Sequence, residues 1–289
     1  MFLNYFLSKN QSKYTNLNIL QLITLEWKKF RHYAAFKVIS LMYILLLPGL
    51  MLVGKTIQIP KEFGTTDLFF IFPDIWKYQG YLGNWLSFFF LGFFGILLVT
   101  NEYSFKTLRQ NIITGMSRKE FFVGKISFIA FVCLVVTLYY TLVSLAFGIT
   151  HTETIYFTKV VQNIDYIFRY FLMCFSYTIF AFFIGTLTRR TGIALFLYLS
   201  YVMFIELFIR YAVHLKALSS PNKTIHFYPM NATEDLVPFN FPMNNFAAGF
   251  TEKHNISVFL TSTEAIITTI FYTSIFMFLS YQIYQKRDL

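Results

Sequence analysis

The residues of this sequence best placed to do chemistry are ionisable groups inside long apolar blocks. Such groups are costly there and are kept when paired or functional. Glu206 and Arg210 stand four apart in the block 193–213, with the acid first, the order that favours a helix pair. Two readings are open: a self-neutralised pair that supports packing, or an outer gate lining a polar cavity. Glu264 closes the run Thr261-Ser262-Thr263-Glu264, which reads as a capping box opening a helix. Thr261, Glu264, Thr268 and Tyr272 also share a helical face that could border a cavity or the Arg210 region. Arg169, near the start of another block, is expected to snorkel outward. His151, His214, His226 and His254 fall in connections, and no two have ligand spacing on one helix, so they do not specify a metal site. Cys133 and Cys174 lie in apolar blocks and read as buried small hydrophobes. The chain has no HExxH, GxSxG or GxxxxGK[ST] pattern, so no catalytic constellation of those kinds is indicated and ATP is not cradled in that manner.

The elements that must position these groups are membrane helices. The chain is 56% hydrophobic and 13% charged, too little charge to wet a soluble surface, which takes roughly 25%. Six apolar segments, at 34–53, 81–100, 121–150, 167–187, 193–213 and 258–281, approach the ~20 residues a spanning helix needs. Their runs are continuous rather than alternating, so they are helices and not barrel strands. The expected fold is an all-α integral membrane protein of about six transmembrane helices, forming one domain over 1–289. The net charge of +10 fits an excess of Lys and Arg on cytoplasmic loops better than nucleic-acid binding. With the N-terminus inside, Lys28, Lys29, Arg31, Lys106, Arg109, Arg118, Lys119, Lys125, Arg189, Arg190, Lys286 and Arg287 fall on the cytoplasmic side. Lys55, Lys61, Lys77, Lys159, Lys216, Lys223 and Lys253 are spread through outer loops. Both termini are thus expected in the cytoplasm, and no cleavable signal peptide is evident at the start.

Three connections are informative. Residues 1–33 form an N-terminal extension. Within it, 17–30 puts Leu20, Ile23, Trp27 and Phe30 on one helical face and Gln21, Thr24, Lys28 and Arg31 on another. It reads as an interfacial amphipathic helix, with Trp27 at the headgroups and Lys28, Lys29 and Arg31 toward anionic lipid; the plainer reading is an extension of the first span. The connection 101–120 carries Phe105, Leu108, Ile112 and Ile113 as an apolar stripe, with Lys106, Arg109 and Gln110 on other faces. Gly115 fits the left-handed end of such a helix, and Ser117-Arg118-Lys119-Glu120 is a capping box that starts the next one. The chain therefore leaves the membrane, makes a short helix and returns. The outer stretch 214–257 is too long for an idle turn; short helices or a re-entrant turn are expected there. Asn231-Ala232-Thr233 and Asn255-Ile256-Ser257 match a glycosylation triplet that is common by chance.

These residues resemble the permease subunits of type-2 ABC exporters. Glu102 at the end of the second span, the helix around 105–114, the pair Ser117-Arg118 and Lys125 entering the third span are similar to that family's first cytoplasmic loop. Glu26-Trp27-Lys28-Lys29 is similar to its elbow helix, and Lys286-Arg287-Asp288-Leu289 to its short basic tail. Where the family often has Gly before the Thr of the loop, this chain has Lys106 before Thr107. The resemblance implies that 101–120 is a coupling helix docking in a separate ATP-binding cassette subunit. That partner would hold ATP and Mg, and this chain would have no cofactor and no ATPase site of its own. It implies pairing with a second copy or a sister permease and residence in a bacterial cytoplasmic membrane. The route would be lined by the second and fifth spans; the aromatic, mostly uncharged spans suggest an amphipathic or hydrophobic cargo such as a lipid, a drug or a peptide. Glu102 would pair with basic residues of the elbow helix, such as Lys28 or Arg31, and so tie the loop to the first span; otherwise it is a solvated interfacial acid. Two other functions are weighed against this one: a lipid-modifying membrane enzyme using Glu206, Arg210, Glu264 and the outer histidines, and a non-transporting membrane anchor.

Overall fold

The computed structural model describes residues 18–56, 69–113, 115–217, 223–238 and 259–286. The expectations for Lys61, the stretch 239–257 with Lys253, His254 and the Asn255 triplet, and the tail after Lys286 lie outside these residues. All regular structure among the described residues is helical, and six helices are long and apolar enough to cross a bilayer. The protein is a multi-pass membrane protein.

The helices in order are α1 (Ile19–Phe30), α2 (Ala34–Thr56), α3 (Ile75–Ser104), α4 (Thr107–Ile113), α5 (Arg118–His151), α6 (Phe157–Val161), α7 (Asp165–Thr188), α8 (Thr191–Ala217), α9 (Pro229–Glu234) and α10 (Ser262–Lys286). A 3-10 turn, Lys223–His226, precedes α9. The second span begins at Ile75 rather than 81 because its polar first turns are held by neighbouring helices. Gln79 Nε2, for example, donates to the Leu47 carbonyl at 3.0 Å. The sixth begins at Ser262 rather than 258, where the Thr261–Glu264 box sets its start.

The inner helices α3 and α7 form the centre, with α5, α8 and α10 packed around α7. Without an aqueous driving force between helices in lipid, close approach depends on small residues. Two glycines provide it reciprocally. A Cβ on Gly95 of α3 would meet the Thr178 carbonyl of α7, and one on Gly185 of α7 would meet Val99 and the Ile96 backbone of α3. Backbone groups freed by irregular turns are also satisfied. Pro48 in α2 has no N–H for the Ile44 carbonyl, and Tyr139 of α5 donates its hydroxyl there at 2.6 Å. The π-helical turn Ser87–Leu91 in α3 presents the Phe88 carbonyl to the Tyr198 hydroxyl at 2.9 Å. Two further π turns, Tyr201–Ile205 and Ile209–His214, interrupt α8 on either side of Glu206.

The connection after α8 does contain short helices, and it dips between α7, α8 and α10. Met230, Thr233, Asp235 and Val237 are buried. Thr233 bonds Ser176 at 2.9 Å, about 16 Å along α7 from Asp165 at 1.5 Å per residue.

Candidate functional site

The α4 end of the bundle is built on four buried or half-buried charges. Lys125, one turn or two into α5, is fully enclosed. Its ammonium lies 2.6 Å from Glu26 Oε2 and 2.5 Å from Glu102 Oε1. Lys29 Nζ bridges the same carboxylates at 3.2 and 3.1 Å. Two cations thus neutralise two anions drawn from α1, α3 and α5, the arrangement that makes buried charge tolerable. The rings of Phe30 and Phe121 face Lys125 at 5.8 and 5.1 Å. Burial opposes the charge on Lys29, but Glu26 and Glu102 outweigh it and hold the ammonium above the ordinary lysine range.

Glu102 therefore pairs with the N-terminal helix, but through Lys29 and not Lys28 or Arg31, and it shares Lys125 as well. The reason is the rotation of α1. Its inward face is Leu22, Glu26 and Phe30, while Leu20, Trp27, Lys28 and Arg31 are exposed. The apolar stripe expected to include Leu20 and Trp27 is thereby split, because Glu26 has to face Lys125.

Glu102 Oε2 accepts a short hydrogen bond from Thr107 Oγ1, which fixes the start of α4. The helix is shorter than expected: Phe105 and Lys106 form the turn before it. Lys106 has φ 55°, a left-handed value that costs a side-chain-bearing residue what it does not cost glycine. Ile112 packs against the bundle, whereas Ile113 and Phe105 are 74% and 66% exposed. The expected stripe is thus divided between an inward and an outward side. Leu108 and Arg109 lie within α4. Gly115 has φ 105°, and Ser117 and Glu120 complete the expected capping box at 2.8 Å and 3.1 Å. Arg118 donates to the carbonyls of Tyr284 and Gln285 at 3.1 and 2.8 Å, closing the C-terminal end of α10 with positive charge.

At the other end, a cavity of about 240 Å³ lies between α3, α8 and α9, with Trp85, Phe88, Glu206, Arg210 and Glu234 among its walls. Glu206 and Arg210 do not neutralise each other at salt-bridge distance. The Glu206 carboxylate accepts the backbone N–H groups of Met230 and Asn231 at 3.0 and 2.7 Å. Arg210 donates to the Ile225 carbonyl at 2.8 Å and meets His226 Nδ1 at 3.0 Å. A four-residue spacing shows only that two side chains can meet; here the folded-in segment 223–237 offers both of them better-placed partners. Glu264 lies away from this cavity. It caps α10 through Thr261 and bonds Lys223 at 2.5 Å, so of its two readings the cap is the one observed. Tyr272 reaches the Phe227 carbonyl at 3.1 Å.

Arg169 does not snorkel. It is buried, stacked 3.7 Å from the Tyr166 ring, paired with Asp165 at 2.6 Å and bonded to the Leu236 carbonyl and Ser262 Oγ at 3.2 and 3.1 Å. Asp235 was not singled out from sequence. Its Oδ2 accepts from Leu260 N and Asn231 Nδ2, both at 3.0 Å, and burial pushes the carboxyl up to about 7 against those bonds. The signal that could have found Arg169 and Lys125 as buried partners is the one used for Glu206: charge in an apolar helix needs an opposite. Nothing in the sequence marks Asp235, which depends on how 223–238 folds back.

A family model described as Protein of unknown function (DUF2705) matches residues 64–289. No curated protein matches the chain.

Proposed function

We propose that this chain, which belongs to the family of proteins of unknown function DUF2705, is the membrane subunit of an ATP-driven exporter of the type-2 ABC class. The observation that carries the reading is α4 and the turn before it: a short element with outward apolar residues Phe105 and Ile113, held at its base by the ionic cluster of Glu26, Lys29, Glu102 and Lys125. Exposed apolar residues on a firmly seated element suit a docking surface, and a force on α4 would pass through Glu102 into α3 and through Lys125 into α5. The excess of basic residues at the α4 end supports a cytoplasmic position for it. The energy would come from a separate ATP-binding cassette subunit holding ATP and Mg.

The chain would work beside a second copy or a sister permease. The outward side of α8 exposes Phe196, Phe204 and Phe208, a large aromatic surface available to such a partner. All three π turns contribute to the wall of the outer cavity, through Phe88, Met203 and Arg210; such turns recur at functional sites. This supports a route between the second and fifth spans for an amphipathic or hydrophobic cargo. The enzyme reading is weaker, since Glu206 and Arg210 are spent on backbone groups of 225–231.

Co-expression with a candidate ATP-binding subunit, followed by purification, tests the assignment. A stoichiometric ATPase should come down with the wild-type chain and be lost in Phe105→Asp/Ile113→Asp, with the membrane fold intact. Turnover of lipid by the isolated chain, or a complex whose composition ignores these changes, would count against it.

A further inference from the structure

A large groove lies at the α4 end, on the lipid-facing side between α1, α2 and α5. It holds about 590 Å³. Its walls are apolar, from Ile44 of α2 to Val132 and Val135 of α5, with Phe94 of α3 behind them. Its mouth is different. Trp27, Arg31 and Lys37 stand there, and all three are exposed. Among the described residues neither Arg31 nor Lys37 belongs to an ion pair. Arg31 donates its Nε–H to the neighbouring His32 at 2.8 Å. Lys29, on the same helix as Trp27, is by contrast turned inward and paired with acids.

The depth also matters. Lys37 and Ile44 are separated by about 10 Å of helix at 1.5 Å per residue. The Tyr139 hydroxyl, bonded to the Ile44 carbonyl, ties α5 to α2 at the deep end. The groove therefore runs from the headgroup level part-way to the bilayer centre, polar and cationic at its outer end and apolar below.

We infer that this groove is a binding site for an anionic phospholipid of the leaflet on the α4 side. One acyl chain would lie along Ile44, Val132 and Val135, and the phosphate would sit between Arg31 and Lys37, with Trp27 at the level of the glycerol backbone. Charge decides the class. Two cations at the mouth, neither in an ion pair among the described residues, attract a headgroup with net negative charge, whereas a zwitterionic headgroup brings its own ammonium and loses most of that attraction. Basic pockets between membrane helices select anionic lipid in this way. The inference does not depend on the transporter reading, because the site requires only the bilayer and this chain.

The test is native mass spectrometry of the full-length chain in detergent, titrated with phosphatidylglycerol or with phosphatidylcholine of the same acyl chains. The wild type should retain phosphatidylglycerol preferentially. Arg31→Gln/Lys37→Gln should lower that retention roughly 25-fold, about fivefold per charge, and leave phosphatidylcholine unchanged. Val135→Trp and Leu41→Trp, at positions 49% and 55% exposed, should each fill the groove and displace phosphatidylglycerol while the charges stay in place. Matching thermal unfolding of the variants and wild type confirms that the fold is kept. Equal retention of the two lipids by the wild type would overturn the site. So would phosphatidylglycerol retention that survives both tryptophan variants, since the lipid would then be held by surface charge on α1.

Discussion

Lys125 has no contact with solvent and yet carries a charge, so its worth is set by what surrounds it. Removing it leaves Glu26 and Glu102 sharing only the half-exposed Lys29. Lys125→Met should therefore destabilise the folded chain by roughly 3–5 kcal/mol, as breaking buried pairs does. Changing Glu102→Gln in the same chain should recover part of the loss, because one uncompensated carboxylate disappears. Thermal unfolding of the two single variants and the double variant in detergent measures this. Strict additivity of the losses would show that the two residues do not interact. Asp235 gives a pH signature of opposite kind. Its carboxyl is raised from 3.8 to about 7, so between about pH 4 and pH 7 the folded chain keeps a proton that the unfolded chain has released. Stability then falls as pH rises through that window. The melting temperature of the wild type should decline more between pH 5 and 8 than that of Asp235→Asn. Identical pH slopes would remove Asp235 as the source.

At the scale of elements, the seam between α3 and α7 rests on two glycines and not on any charged pair. Gly95→Leu and Gly185→Leu should each cost at least the 1–3 kcal/mol typical of overpacking, because Gly95 faces the Thr178 carbonyl, which cannot rotate away, and Gly185 faces the stiff, β-branched Val99. An exposed glycine, Gly192, with nothing within 4 Å of its Cβ position, is the control: Gly192→Leu should leave stability nearly unchanged. A survey of expression and melting temperature that ranks Gly192→Leu with the other two would contradict the packing account. The same reasoning explains what could be read of the helices from sequence. Caps such as Ser117–Glu120 and Thr261–Glu264 are local, involving residues three apart, and were legible. The division of Ile112 from Ile113 was not, because adjacent helical residues differ by about 100° and only the neighbouring helices decide which one is covered.

For the whole molecule, hydropathy and charge alone determined the class: six long apolar segments, too few charges for a soluble surface, and helices because a bilayer leaves no other partner for the backbone. The existence of a short helix between the second and third spans was equally determined, since its breaks at Gly115 and Ser117 are written locally. Tertiary structure decided the partners. Spacing joined Glu206 to Arg210, and the resemblance joined Glu102 to the basic residues of the elbow helix; the fold sends Glu206 to the backbone at 230–231, Arg210 to 225–226 and Glu102 to Lys29 and Lys125. Spacing along one helix reports only neighbours within that helix. Which buried charges meet depends on the rotation and crossing of several helices, and on a connecting segment that folds back among them.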